Sequence, residues 1–147
     1  MGIKEMSSFG DNKSDNKDEI NLDLTYVKKQ IESMPKNVDK GQQNKHIEGT
    51  NEFKIKTESF RQKGQYGVSR ISGIEFAQYL IDKYSGTGTP EIFNGEWIRS
   101  EKIKTNEVIG IVVNNITGVE KETTNFKIHY RNSGAHVVPD YPNRGDK

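Results

Sequence analysis

The segment from Glu122 to Arg131 constrains the fold most, because apolar and polar residues alternate along it without interruption. A period of two residues matches a β-strand, whose successive side chains point to opposite faces of a sheet. One face should therefore pack on a core, and the other should be polar. The apolar face holds Thr124, Phe126, Ile128 and Tyr130, and the polar face holds Asn125, Lys127, His129 and Arg131.

A turn and a second short strand follow this segment. Ser133-Gly134 fits a two-residue hairpin turn, and Ala135–Val138 then forms a last strand that ends at Pro139. This turn predicts four cross-strand pairs: Asn132 with Ala135, Arg131 with His136, Tyr130 with Val137, and His129 with Val138. A three-residue turn would instead place Tyr130 opposite His136. With the two-residue turn, the polar face gathers Lys127, His129, Arg131 and His136.

This polar face has two interpretations. Histidine titrates near neutral pH, so one imidazole can accept the proton of an RNA 2′-hydroxyl and another group can protonate the leaving 5′-oxygen. Lysine or arginine beside them can stabilise the charge of the phosphorane. The alternative is an ordinary solvent-facing hairpin, since Lys and Arg on an edge strand discourage pairing with another chain. Spacing alone leaves both interpretations open.

Apolar residues at helical spacing indicate two helices. The first is a short amphipathic helix that ends at Pro35, and it serves as a linker or as a docking element for a partner. Its apolar positions are Ile20, Leu24, Val27, Ile31 and Met34. The second helix begins at a capping box formed by Ser72 and Glu75 and ends at Gly86. Its apolar face comprises Ile74, Ala77, Leu80, Ile81 and Tyr84.

The rest of the chain predicts further strands and loops. Phe93–Ile98 forms a strand region with Asn94-Gly95 as a turn signal, and Glu107–Asn114 is apolar on both faces, as in a central strand. Residues 36–43 and 56–67 are polar or charged and are expected to be loops. These elements predict an α+β domain, with a curved antiparallel sheet of about four strands and one or two helices packed on it.

Composition divides the chain and excludes some classes of protein. The first 18 residues are rich in Asp, Asn, Lys and Ser, so residues 1–40 are expected to be a disordered leader plus the linker helix, and residues 41–147 the folded domain. The absence of cysteine excludes a disulfide framework and thiolate chemistry. We expect no membrane span and no conventional signal peptide, because no apolar run is long enough. The net charge of +1 favours no class of partner.

The third histidine, His46, lies in the polar segment NKHIEGTN. Taken alone, it is typical of an exposed loop. A zinc site made of His46, His129 and His136 lacks support from the spacing, because no carboxylate stands at a ligand interval from them. No metal is therefore assigned.

Four segments resemble the polymorphic toxin type 50 family in order and spacing: GQQNKHIEGTNEF, GQYGVSRISG, LIDKYSGTGTP and VIGIVVNNITGVEKETTNFKIHYRNSGAHVVPDYP. The resemblance covers residues 41–142. The family comprises C-terminal domains of bacterial toxins and also occurs in prophages, often fused to minor head proteins. The resemblance implies a barnase–colicin–RelE-like ribonuclease fold. It also implies a metal-independent endoribonuclease without a cofactor, which acts on RNA in a bacterial cytoplasm.

The resemblance also implies site residues. Catalytic roles fall to His46, His129, His136 and Tyr130, with the histidines as base and acid. Substrate-binding roles fall to Lys45, Ser69, Arg70 and Thr124, and the polar face of the hairpin adds Lys127 and Arg131. Arg131 departs from the family, whose members often carry a small polar residue at that position.

The partners expected from the resemblance are RNA, an immunity protein and, through the prophage association, a phage head or portal protein. No membrane partner is expected, and delivery would come from a phage particle or a secretion system. The alternative function is a phage-associated binding module that docks on a capsid, portal or immunity protein without catalysis. Such a module would use the first helix or the sheet.

Overall fold

The computed structural model describes residues 24–142 and has an α+β fold, as the sequence predicts. Its helices are α1 (residues 24–33), α2 (Lys40–Asn44), α3 (Asn51–Gln62) and α4 (Ile74–Tyr84). Its strands are β1 (Thr89–Phe93), β2 (Glu96–Lys104), β3 (Gly110–Val113), β4 (Glu120–Thr123), β5 (Asn125–Arg131) and β6 (Gly134–Asp140). Within the described range, no helix has the length and apolar character of a membrane span.

The main sheet is antiparallel and has the strand order β1-β2-β5-β6, whereas β3 and β4 pair with each other in a separate two-stranded sheet. One face of the main sheet packs on α1 and α4 and forms the core. The core residues from these elements are Phe126, Ile128, Tyr130, Ala135, Val137, Ala77, Leu80, Ile81, Val27 and Ile31. The apolar faces predicted for β5 and for α4 are therefore confirmed. The opposite face of the sheet is left for polar residues.

Helix α1 packs on this core through Val27 and Ile31, which are 4% and 1% exposed. It ends before Pro35, as predicted, because proline cannot continue the helical hydrogen bonding. The predicted disordered leader and Ile20 lie outside the described residues. The division between residues 40 and 41 stays a prediction, although the core includes side chains from before it.

The predicted register of the β5–β6 hairpin is wrong by two residues. The turn is Asn132-Ser133, with Arg131 opposite Gly134 and His129 opposite His136. Gly134 lies just after the turn, where it has a positive φ of 138° and where a Cβ would lie 2.5 Å from the carbonyl oxygen of Asn37, so both its backbone and a close approach require glycine. A shift of two residues keeps every side chain on its predicted face but changes its partner. His136 therefore lies beside His129 and not beside Arg131.

The segments predicted as loops are mostly ordered. Residues 56–62 belong to α3, whose N-terminal cap is Thr50, a side chain that accepts a hydrogen bond from the Phe53 N–H. This helix buries no residue, so its sequence lacks the apolar period that would have indicated it. In the other segment, Val38 bridges to Ala135 and α2 begins at Lys40.

Three further predictions about the elements need correction. Glu107–Asn114 is not a central strand, since only Gly110–Val113 is extended and it pairs with β4. The alternating segment breaks at Thr124 into β4 and β5, where Thr123 turns its hydroxyl to the Asp140 carbonyl. Helix α4 begins after Gly73, with no side-chain cap, so the predicted capping box is absent.

Two turn signals behave as predicted. Asn94-Gly95 joins β1 to β2, and both residues have positive φ angles, 52° and 77°, as a type I′ turn requires. Gly86 follows α4 with a φ of 88°. The strand region predicted at Phe93–Ile98 is therefore a hairpin whose two strands extend beyond it on both sides.

Candidate active site

Three imidazoles form a row on the face of the sheet opposite the core. The ring centroid of His136 lies 5.1 Å from that of His129 and 6.4 Å from that of His46, with interplanar angles of 22° and 16°. His129 and His136 are cross-strand neighbours, and His46 reaches them from the segment after α2. We call His46, His136 and His129 the histidine row. The structure thus brings together all three histidines of the chain.

His46, at one end of the row, has a fixed orientation. Its Nδ1 atom lies 2.9 Å from the carbonyl oxygen of Ser69. A carbonyl oxygen can only accept, so Nδ1 carries the proton and Nε2 is unprotonated in the neutral ring. Burial lowers the pKa of His46 to about 4, against the opposing effect of the Ser69 bond. At neutral pH this imidazole therefore holds a free lone pair.

His136, in the middle of the row, is 7% exposed. No group among the described residues bonds its Nδ1 atom, which is fully buried. Burial, followed by the neighbouring His129 and His46, lowers its pKa to about 3. A second proton on this ring would add a charge that lacks compensation, so His136 stays neutral at neutral pH.

His129, at the other end, is half-buried and sits among charged groups. Burial and then Lys127 lower its pKa below the usual value, whereas Glu91 acts in the opposite direction. Its cross-strand neighbour on β2 is Ser100. The Ser100 hydroxyl donates a 2.5 Å hydrogen bond to Glu91 Oε1, and Glu91 Oε2 lies 3.1 Å from Lys127 Nζ.

Cations flank the histidine row at both ends. Lys56 of α3 and Lys45 lie near enough to His46 to lower its pKa, and Lys127 and Arg131 do the same for His129. Lys56 is half-buried, and its own pKa is lowered by burial and then by Lys45. This positive charge beside three imidazoles suits a phosphate group.

Sequence reasoning missed Glu91, Ser100 and Lys56. Glu91 and Ser100 lie on parts of β1 and β2 that show no clean alternation, because the pairing of these strands is irregular between Pro90 and Ile92. Lys56 lies on the exposed helix α3, which was expected to be a loop. The one available signal was the Asn94-Gly95 turn, which places its flanking segments side by side in a hairpin.

Several predicted site residues lie apart from the row or contact it only through the backbone. Tyr130 is on the core face, where its hydroxyl bonds Glu101 and Ser85 at 2.7 Å each. Arg70 pairs with Glu120 at 2.9 Å and lies 3.8 Å from Glu48. Two hydroxyl residues complete the set. Ser69 contributes its carbonyl oxygen to His46 while its hydroxyl accepts from the Val113 N–H, and Thr124 lies between β4 and β5, away from His129.

Gln43 of α2 connects the segment that carries His46 to strand β6, which carries His136. Its fully buried side chain donates to the Val137 carbonyl at 2.8 Å and accepts from the Val137 N–H at 2.6 Å. The backbone carbonyl of Gln43 accepts from the His46 N–H at 2.9 Å. The side-chain amide of Gln43 therefore bonds the backbone of the edge strand β6 next to His136, and the backbone of Gln43 bonds the turn that carries His46.

We expect Gln43→Leu to lower the free energy of unfolding by about 2–4 kcal/mol, because it leaves a buried N–H and a buried carbonyl without partners. Urea unfolding measures the change. The matched control is Gln42→Leu, in the same helix, where the side chain only accepts from Lys45; there the effect should stay within about 0.5 kcal/mol. Equal losses in the two variants would contradict this role for Gln43.

Among residues 24–142, no group of three or more His, Cys, Asp or Glu side chains is arranged to hold a metal ion. The three rings of the row stack face to face, whereas three histidines that bind the same metal ion point one nitrogen each at that ion.

Comparison with known proteins places the chain in a family. No curated protein and no solved structure matches it. The sequence model described as bacterial toxin 50 matches residues 38–139, which is more than half of the chain and includes the whole histidine row. The matched range also contains the four strands of the main sheet up to Pro139. The chain therefore belongs to the bacterial toxin 50 family.

Proposed function

We propose that this bacterial toxin domain is an endoribonuclease that cleaves RNA in the cytoplasm of a target bacterium. The observation that carries the proposal is the histidine row, in which three imidazoles lie within 6.4 Å of their neighbours and have cations at both ends. Acid and base groups beside a phosphate-binding surface are what cleavage by a 2′-hydroxyl needs. The proposed mechanism has two proton-transfer steps, and neither uses a metal ion.

In the first step, His46 is the base. Its Nε2 lone pair accepts the proton of the 2′-hydroxyl, and O2′ attacks the adjacent phosphorus. The bond from Nδ1 to Ser69 supports this assignment, because it holds the ring in the tautomer that leaves Nε2 free. Lys45 and Lys56 disfavour a proton on this ring before the substrate arrives.

In the second step, His129 is the acid. It gives a proton to the 5′-oxygen as the P–O5′ bond breaks, and the products are a 2′,3′-cyclic phosphate and a 5′-hydroxyl. The negative charge of the bound phosphodiester raises the pKa of a nearby imidazole and so favours a protonated His129 in the complex. Lys127 and Arg131 are cations close enough to act on His129, and they would stabilise the phosphorane.

Incubation of the purified protein with total and transfer RNA tests the proposal. We expect fragments that end in a cyclic phosphate, in the presence or absence of EDTA, and arrest of growth when the protein is expressed in a bacterial cytoplasm. RNA that stays intact at protein concentrations matching the substrate would contradict the proposal. The cyclic end separates this mechanism from metal-assisted hydrolysis, which leaves a linear phosphate.

Membership of a toxin family implies a cognate immunity protein as a partner. A phage head or portal protein as a further partner, and delivery by a phage particle or secretion system, belong to the proposal. The alternative of a docking module without catalysis loses one of its two surfaces, because the apolar face of α1 is buried in the core. Intact RNA together with a stable complex with a head or portal protein would favour that alternative.

A further inference from the structure

The histidine row poses a problem for acid catalysis. The pKa of each of its three imidazoles is lowered, yet one of them must carry the proton that the acid donates. We propose that Glu91 is the positioning residue that makes His129 the ring of the row that takes up a proton most readily. The inference rests on the proposed function for its catalytic consequence. The placement of the proton itself is a property of the free protein and can be measured without any substrate.

Glu91 comes close to the row through the pairing of β1 with β2. Thr89 pairs with Lys102 and Pro90 with Glu101, and the same register places Glu91 across from Ser100; the register has shifted by Ile92, which pairs with Trp97. The Glu91 carboxylate accepts from the hydroxyl of Ser100, the residue directly opposite His129 on β2.

Glu91 is ionised at neutral pH and cannot leave its place easily. Burial would raise its pKa, but the bonds from Ser100 and Lys127 outweigh that effect and bring the pKa below the usual value. Lys127 Nζ lies 3.1 Å and Lys102 Nζ 4.0 Å from Oε2. The side chain of Glu91 is only 19% exposed, so its charge acts on its neighbours with reduced screening by solvent.

The charges around His129 come from every element that packs beside it. The negative groups are Glu91 on β1 and Asp140 on β6. The positive groups are Lys127 and Arg131, which lie on β5 with His129, and Lys102 on β2, which pairs with Glu91. The neutral neighbour is His136. The Asp140 carboxylate accepts from the Tyr141 N–H. The Glu91 carboxylate is bonded to Ser100, the residue opposite His129.

The other two rings are less able to hold the proton. His46 already donates through Nδ1 and has Lys45 and Lys56 nearby. His136 is buried with an unpartnered Nδ1, and the carboxylate acting on it, Asp39, is engaged by the Ser133 hydroxyl and the Gln42 N–H. The row is therefore polarised, with an unprotonated nitrogen at the His46 end and the ring that most readily takes up a proton at the His129 end.

Glu91→Gln tests the proposal, because the glutamine oxygen can still accept from Ser100 while the charge is lost. We expect the NMR titration midpoint of His129 to fall by roughly 0.5–1 pH unit. The alkaline limb of the pH–rate profile for RNA cleavage should move to lower pH by the same amount, since the acid loses its proton earlier. The three histidine signals are assigned with single His→Asn variants.

The matched control is Glu120→Gln, which removes an equivalent carboxylate that pairs with Arg70, away from the row. A second variant, Lys127→Met, removes a cation and should raise the His129 midpoint, so the proposal stays testable if Glu91→Gln folds poorly. Equal His129 midpoints in Glu91→Gln and Glu120→Gln, or no rise in Lys127→Met, would overturn it. If the variants show these midpoint shifts but the wild-type protein cleaves no RNA, the proposed function alone is overturned.

Discussion

Replacing His46 with asparagine is expected to lower the rate of RNA cleavage by about 10²–10⁴-fold while the protein stays folded. The asparagine amide can donate to the Ser69 carbonyl as Nδ1 does now, so the local contact survives. It offers no basic nitrogen at the position of Nε2, so the 2′-hydroxyl loses its proton acceptor. Single-turnover cleavage of a defined RNA, followed by separation of the cyclic-phosphate product, measures the rate.

The control for this variant is Lys83→Ala. Lys83 lies on α4, on the opposite side of the sheet from the histidine row, so its removal leaves the row and its neighbouring cations unchanged. We expect wild-type cleavage from Lys83→Ala and growth arrest on its expression, whereas His46→Asn should be tolerated. If the His46→Asn protein unfolds like wild type in urea and still cleaves RNA within threefold of the wild-type rate, His46 is excluded as the base. A base is expected to contribute a factor of about 10² or more.

The alternation of the sequence predicted which side chains share a face, and this part of the site was accessible from the sequence. His129 and His136 lie on the polar face because strand parity is independent of a two-residue register error. The partner of each residue was not accessible, because Gly134 follows the turn as the first residue of β6, where its positive φ and a long-range close approach to Asn37 both require glycine. A glycine in this position cannot be told from a glycine inside the turn without the fold.

The resemblance to a family supplied His46, and the pattern of residues could not have done so. Its placement depends on Gln43, which pairs with Val137 over 94 positions of sequence. Such a contact leaves no period in the sequence. The same is true of Glu91, which is linked to the strand of His129 through Ser100 on β2, and of α3, which is helical without burying an apolar face.

Tyr130 is a residue for which the resemblance and the alternation differ. The resemblance implies a site role, whereas the alternation predicts the core face, and the structure buries its side chain there. There the hydroxyl stands between Ser85 and the buried carboxylate of Glu101, and desolvation raises its pKa. A phenol with a raised pKa and two bonded neighbours stabilises the core on the far side of the sheet from the row.

Burial of the histidine row also predicts a strong dependence of stability on acid. The pKa of His46 is about 4 and that of His136 about 3 in the folded protein, and both should be near 6.5 in the unfolded chain. The unfolded chain therefore binds more protons between these values. Stability from the neutral rings is complete above about pH 6.5 and is lost as the pH falls from there toward the folded pKa values.

Each buried histidine contributes a slope of at most about 1.4 kcal/mol per pH unit, so two of them should lower the free energy of unfolding by about 3–4 kcal/mol between neutral pH and about pH 5. Above about pH 5 the carboxylates with lowered pKa, such as Glu91 and Glu120, stay ionised in the folded state and contribute little to this change. Urea unfolding at several pH values in this window measures the slope. His136→Phe, which keeps a flat ring in the middle of the row but cannot titrate, should show about half of it. An unchanged slope in His136→Phe would mean that His136 takes up a proton over the same pH range in the folded and the unfolded protein, and that the middle ring of the row competes with His129 for a proton.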